Sequence, residues 1–395
     1  MTDSTTHFQI LARCAAAPGS PGLDAAIAND PATRPSWEPL CEAAEHHGLE
    51  PLLLTRLQCA GVAMPPSIAL QLRGQWTRHA HAAGVRARVM GDVARAFEQA
   101  SIPFLVLKGA ALAQLVYDTP SLRPMRDVDL LLRVSDLRRA DALLRGAGFA
   151  PIGQTVAPGY HHLQALSMTV DGAAVTIELH GEILRRTAFI EPERFDDLRP
   201  GAQSFEWGGR RFLAPGREDM LWHVYAHAFA INALRPGIRL ISVADLTHAT
   251  RMWIDALDWP FMRRRRGRLL RALILLHQLT PWPPAILDRL HDAAGYRVRS
   301  ARHDVRRTAS LRPPVAAAFT WRDVWRRDVL WPRDWWFRMR YGIDGPARWL
   351  WYRGVGHPAR LCLSAADTAG TRFRKRAQRR EAPTPAASAA AARST

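Results

Sequence analysis

Apolar positions recur at helical spacing over about residues 7–100, most clearly from Pro66 to Ala100, where alanine, leucine and arginine repeat with Gly74 and Gly84 inside the run. This predicts one long helix or two. The pattern then shortens. Pro103 is followed by the apolar run Phe104-Leu-Val-Leu107, which suits a buried strand, and Gly109–Tyr117 suits a short helix. Val128–Leu132 is a second strand, and Ser135 is a plausible N-cap for a helix ending near Ala147 before Gly148. Two alternating segments, His162–Val170 and Ala174–His180, flank Asp171-Gly172 and predict a hairpin. Helical spacing returns at Glu218–Ala230 and Ile238–Arg251.

This order predicts an α+β chain: a helical N-terminal region (1–100), a small mixed-sheet core (101–215), a larger helical C-terminal region rich in Arg and Trp (216–376), and a tail (377–395) whose Ala, Pro, Ser and Thr content suits disorder. The chain has 395 residues, 48% of them hydrophobic, which excludes a mostly disordered or collagen-like protein. Cys14, Cys41, Cys59 and Cys362 form no CxxC pair and no zinc spacing, so free thiols in a reducing cytosol are expected. No signal peptide is evident, and the apolar run Leu269–Leu279 is too short to span a bilayer. A cytoplasmic protein is expected, with its C-terminal end a candidate for peripheral membrane contact.

The net charge of +18 is unevenly distributed. Residues 1–250 carry 24 basic and 25 acidic side chains, and residues 251–380 carry 29 and 10. A basic module on a neutral body therefore fits better than a nucleic-acid coat. Residues 321–351 hold seven of the 14 tryptophans among arginines. That segment reads first as core packing, then as a membrane or polyanion contact, then as base stacking. The Arg263–Arg266 run reads as a solvated face.

Lysine occurs only at Lys108 and Lys375, in a chain otherwise rich in arginine. Lys108-Gly109 ends the first strand at a helix N-terminus, where backbone amides favour an anion. Asp127 and Asp129 share one face of the second strand, and carboxylates that close need a cation or a shared proton. Oxygen ligands beside an anion-binding turn suit Mg²⁺ (or Mn²⁺) with a phosphate substrate, with Arg123 and Arg126 adding positive charge.

Leu107-Lys-Gly109 with Leu122-Arg-Pro-Met-Arg-Asp-Val-Asp-Leu-Leu131 resembles the polymerase-β-type nucleotidyltransferase superfamily and, more narrowly, its uncharacterised bacterial nucleotidyltransferases. Gly109-Ala110 stands where the superfamily commonly has Gly-Ser. The resemblance implies a nucleotidyltransferase core in which Asp127, Asp129 and a third carboxylate, Glu178, hold two metals, and Lys108, Gly109, Arg123 and Arg126 bind the nucleotide. It implies NMP transfer from an NTP to a hydroxyl of a small molecule, peptide or protein, with release of pyrophosphate. His180, His223, His227 and Asp245 are candidate cleft residues. The alternative is an inactive NTP-binding scaffold that docks to an anionic membrane or another polyanion through the basic C-terminal region; nucleic acid ranks behind these partners.

Overall fold

A computed structural model describes residues 3–16, 37–156, 160–184, 191–230, 239–295, 330–363 (apart from 333 and 344) and 366. A five-stranded mixed sheet lies among helices. Its strands are β1 (Phe104–Val106), β2 (Val128–Leu132), β3 (Ala150–Pro151), β4 (Leu166–Val170) and β5 (Ala173–His180), in the order β1-β2-β5-β4-β3. A separate ribbon pairs β6 (Gln203–Trp207) with β7 (Arg210–Ala214). β2 is central. It pairs antiparallel with β1 and parallel with β5, in a register that sets Asp129 opposite Glu178. Every residue of β2 is buried, as expected of a strand covered on both faces.

Pro66–Gln99 forms one helix of 34 residues, running unbroken through Gly74, Gly84 and Gly91. Val85, Val89, Met90, Val93 and Phe97 make its apolar stripe. Arg86 on the same helix is buried and donates to the Met125 carbonyl at 3.5 Å. The helix thereby ties itself to the loop that leads into β2. The β4–β5 hairpin turns at Asp171 and Gly172, both at positive φ (48° and 73°), as a two-residue turn requires.

Several boundaries differ from expectation. The chain after β2 enters its helix through a tight 3₁₀ turn, Val134–Asp136, so the helix starts at Leu137 and Ser135 does not cap it. β4 begins at Leu166, while His162 makes only an isolated bridge to His180. The helix Arg217–Tyr225 widens into a π-turn at Ala226–Ala230. Helix Leu240–Trp253 follows, and Ile238, where that helix was expected to begin, lies outside the described residues.

Among the described residues the main apolar core runs from Phe8 in the first helix to Met339, and Phe337, Tyr341 and Ile343 form a smaller cluster. Trp335 and Trp336 are buried in the main core, Trp331 and Trp351 are exposed, and Trp321 and Trp325 lie outside the described residues. Arg263, Arg264 and Arg265 face solvent, and Arg266 pairs with Asp219 at 2.7 Å and with Glu193. Among the described residues, all within 3–366, the four cysteines are free and no helix is long and apolar enough to cross a membrane.

Two core histidines are held neutral. Burial, with His46 and Arg239 nearby, lowers His47 from 6.5 to about 4. Burial and then Arg56 lower His248 to about 4. Their folded values lie below the unfolded ones, so their contribution is present above the unfolded pKa and lost as pH falls from 6.5 toward 4. The melting temperature should therefore fall across that window, and the ring protons of both histidines should not shift in NMR spectra between pH 7 and about 5. Titration of both rings near pH 6.5 contradicts this account.

Candidate active site

β1 ends beside β2, where the Leu107 amide donates to the Asp129 carbonyl at 2.9 Å. The chain then turns sharply: Lys108 has φ 44°, a left-handed conformation, and opens the helix Lys108–Leu115. The turn delivers Lys108 Nζ to 3.2 Å from Asp129 Oδ2. On the other side of Asp129, His180 Nε2 lies 2.8 Å from Oδ1 and 3.5 Å from Glu178 Oε2. Asp129, Glu178 and His180 each offer a ligand atom within 4.8 Å of the others. The strand register alone explains this group, because Asp129 and Glu178 are paired neighbours and His180 is two residues further along the same face of β5.

The charges interlock. Burial raises the pKa of Asp129, which is 6% exposed, but Lys108 and His180 outweigh burial and hold it well below the usual carboxylate range. The hydrogen bond from His180 lowers Glu178. Burial pulls His180 down, and Asp129 and Glu178 together raise it above its ordinary value. Asp127 precedes β2 at the mouth of the site and stands outside the three-residue group. Desolvation by the surrounding protein, then the charges of Asp129 and Glu178, raise its pKa against Lys108 and Arg123.

These residues border a cavity of about 350 Å³. Lys108, Gly109, Arg123, Arg126, Asp127, Asp129, Glu178, His227 and Asp245 all line it. His180 buttresses its two carboxylates from behind. His223 is 0% exposed, has no hydrogen-bond partner on either ring nitrogen among the described residues, and is driven well below 6.5 by burial and Lys108. His227 is lowered to about 3, first by Lys108 and then by burial.

Arg123 and Asp245 serve each other. Asp245, 2% exposed, accepts from Arg123 Nε (3.1 Å) and Nη2 (2.7 Å) and from the Tyr117 hydroxyl (2.8 Å). Arg123 Nη1 donates to the Pro124 carbonyl at 2.9 Å. The guanidinium, fixed in this way, lies across Gly109, where a Cβ would collide with it. The required glycine is thus explained by the arginine packed on it. Arg123 orders the loop and the turn, and its charge is balanced by Asp245, whereas Arg126 is exposed at the cavity.

The cavity also draws on residues that the motif does not show. Arg239 precedes helix Leu240–Trp253, and Glu45, Gly48, Glu50 and His79 come from the N-terminal helices. Arg239 stands six residues before Asp245, a spacing the sequence shows, whereas no local signal marks the N-terminal residues, which reach the site through tertiary packing.

A model of the uncharacterised nucleotidyltransferase family matches residues 33–281. The chain belongs to that family. The match takes in the N-terminal helices from Trp37, the whole sheet and the helices through Leu276, so the elements that build the cavity all lie within it. Among solved structures, the crystal structure of ANT(2")-Ia in complex with adenylyl-2"-tobramycin is similar at 14% identity, with a TM-score of 0.27, over 36% of this chain and 76% of that one. No curated protein matches the chain.

Substituting Gly109→Ala should displace Arg123 and lower the melting temperature. The same substitution in an Arg123→Ala, Asp245→Ala background, which removes both charges together, should cost less than half as much. Asp245→Ala alone leaves a buried arginine unpaired and should cost about 3–5 kcal/mol in denaturant unfolding. Equal effects of Gly109→Ala in the two backgrounds contradict the clamp.

Proposed function

We propose that the protein transfers an NMP from an NTP to a hydroxyl acceptor and releases pyrophosphate. The observation that carries this reading is the Asp129–Glu178 pair set against the Lys108-Gly109 turn in one cavity. The donor set fits a divalent cation: two carboxylates sit side by side, and Lys108 and His180 supply the positive charge that a cation would bring. Asp129 and Glu178 would hold Mg²⁺ (or Mn²⁺), with His180 orienting both. Bound there, the ion supplies neutralising charge for the phosphates and acidifies the acceptor hydroxyl.

The chain's own groups do the rest. The Lys108-Gly109 turn, with Lys108, Arg126 and Arg239, grips the triphosphate. The acceptor oxygen bonds to the α-phosphorus as the α–β bridging bond breaks, and its electron pair leaves with pyrophosphate. The raised pKa of Asp127 suits it to take the hydroxyl proton. We place the nucleotidyltransferase core in residues 101–215, with residues 1–100 and 216–376 as flanking regions that add Glu45, Glu50, His227, Arg239 and Asp245 to the cavity.

A second reading is an inactive NTP-binding scaffold. It draws on the exposed Trp331, Leu350, Trp351 and Val355 in the basic C-terminal region, a surface suited to an anionic membrane or polyanion.

The test supplies each α-labelled NTP with Mg²⁺ and a metabolite extract, and follows label transfer and pyrophosphate. Wild type should transfer label from at least one NTP, EDTA should stop it, and Asp129→Asn should slow it by at least ~100-fold. NTP binding without transfer supports the scaffold. Equal rates for wild type and Asp129→Asn refute the proposed site.

A further inference from the structure

The N-terminal helices give the cavity a further wall with its own chemistry. Helices Trp37–His47 and Glu50–Cys59 meet at Gly48, and their junction brings Glu45 and Glu50 to the cavity. Glu45 is engaged by Gln75 Nε2 at 3.5 Å. Glu50 is 4% exposed, and its Oε1 lies 3.4 Å from His79 Nε2. Its Oε2 is buried and has no hydrogen-bond partner among the described residues. A buried carboxylate oxygen without a donor is costly, so it marks a place where a ligand can complete the structure.

The charge of this wall selects the ligand. Two carboxylates repel a triphosphate and attract a cation. Arg239 lines the same cavity, with its guanidinium 3.3 Å from the Cβ position of Gly48. What the Glu50 oxygen lacks is a donor, and a cationic nitrogen supplies both the hydrogen bond and the charge.

We infer that Glu45 and Glu50 form the acceptor subsite, and that the acceptor carries a protonated amine near the hydroxyl that receives the nucleotide. The role of this subsite rests on the transfer reading above, while its preference for amines is a binding property that can be measured without transfer.

The experiment uses the full chain with Mg²⁺ and a non-hydrolysable NTP. Ligand-observed NMR compares glucosamine and 1,3-diamino-2-propanol with their N-acetylated forms, for wild type and Glu50→Gln. Wild type should bind the amines about tenfold or more tightly than the acetylated forms. Glu50→Gln should bind both forms alike and keep its NTP affinity within about twofold, which shows that the variant is folded. The inference is overturned if wild type binds no amine, if it binds both forms equally, or if the preference survives in Glu50→Gln. Failure of wild type to bind any Mg²⁺-NTP would count against the transfer reading and leave the amine comparison to be judged on its own.

Discussion

The parallel pairing of β2 with β5 is the constraint on which the site depends. It sets Asp129 directly beside Glu178 and places His180 one step along the same face. The pairing sets the buried Asp129 beside the partly exposed Glu178, and two carboxylates that close repel. Lys108 and His180 compensate, one from the turn after β1 and the other from β5 itself. A one-residue slip of β5 would turn Glu178 and His180 to the opposite face and put apolar side chains in their place. The fully buried strand β2, with leucines at 130, 131 and 132, resists that slip.

Around this pair the protein spends its other buried charges on geometry. Arg123 and Asp245 fix the loop before β2 to the helix Leu240–Trp253, with Tyr117 on the same carboxylate. Arg86 ties the long helix to the Met125 carbonyl. The loop from Arg123 to Asp127 is thereby held from two sides. Rigid support of this kind is what a charged site needs if its groups are to act without reorganising.

Local signals in the sequence reveal part of this. β1 and β2 show as short apolar runs, the hairpin shows at Asp171-Gly172, and Lys108-Gly109 with Asp127, Asp129 and Glu178 stands out by residue type and spacing. The parallel register does not show, because an alternating segment records its face and not its partner. The Arg123–Asp245 pair spans 122 positions, and Glu45 and Glu50 reach the cavity from helices whose sequence reads only as amphipathic. The 3₁₀ entry at Val134–Asp136 illustrates the same limit, since an eligible capping residue at Ser135 was overruled by how the chain leaves the sheet.

The excess of positive charge lies away from this chemistry. Within the cavity, four cationic side chains from Lys108, Arg123, Arg126 and Arg239 face six carboxylates, so the site is locally acidic in a strongly basic protein. That balance invites a cation. The most direct measurement is a crystal structure with Mn²⁺ and a non-hydrolysable NTP, with the metal located by anomalous scattering. The account predicts Mn²⁺ between Asp129 and Glu178 at about 2.2 Å from their oxygens, with Lys108 turned from Asp129 to the phosphates. Metal and nucleotide bound elsewhere, with Lys108 still paired to Asp129, would contradict it.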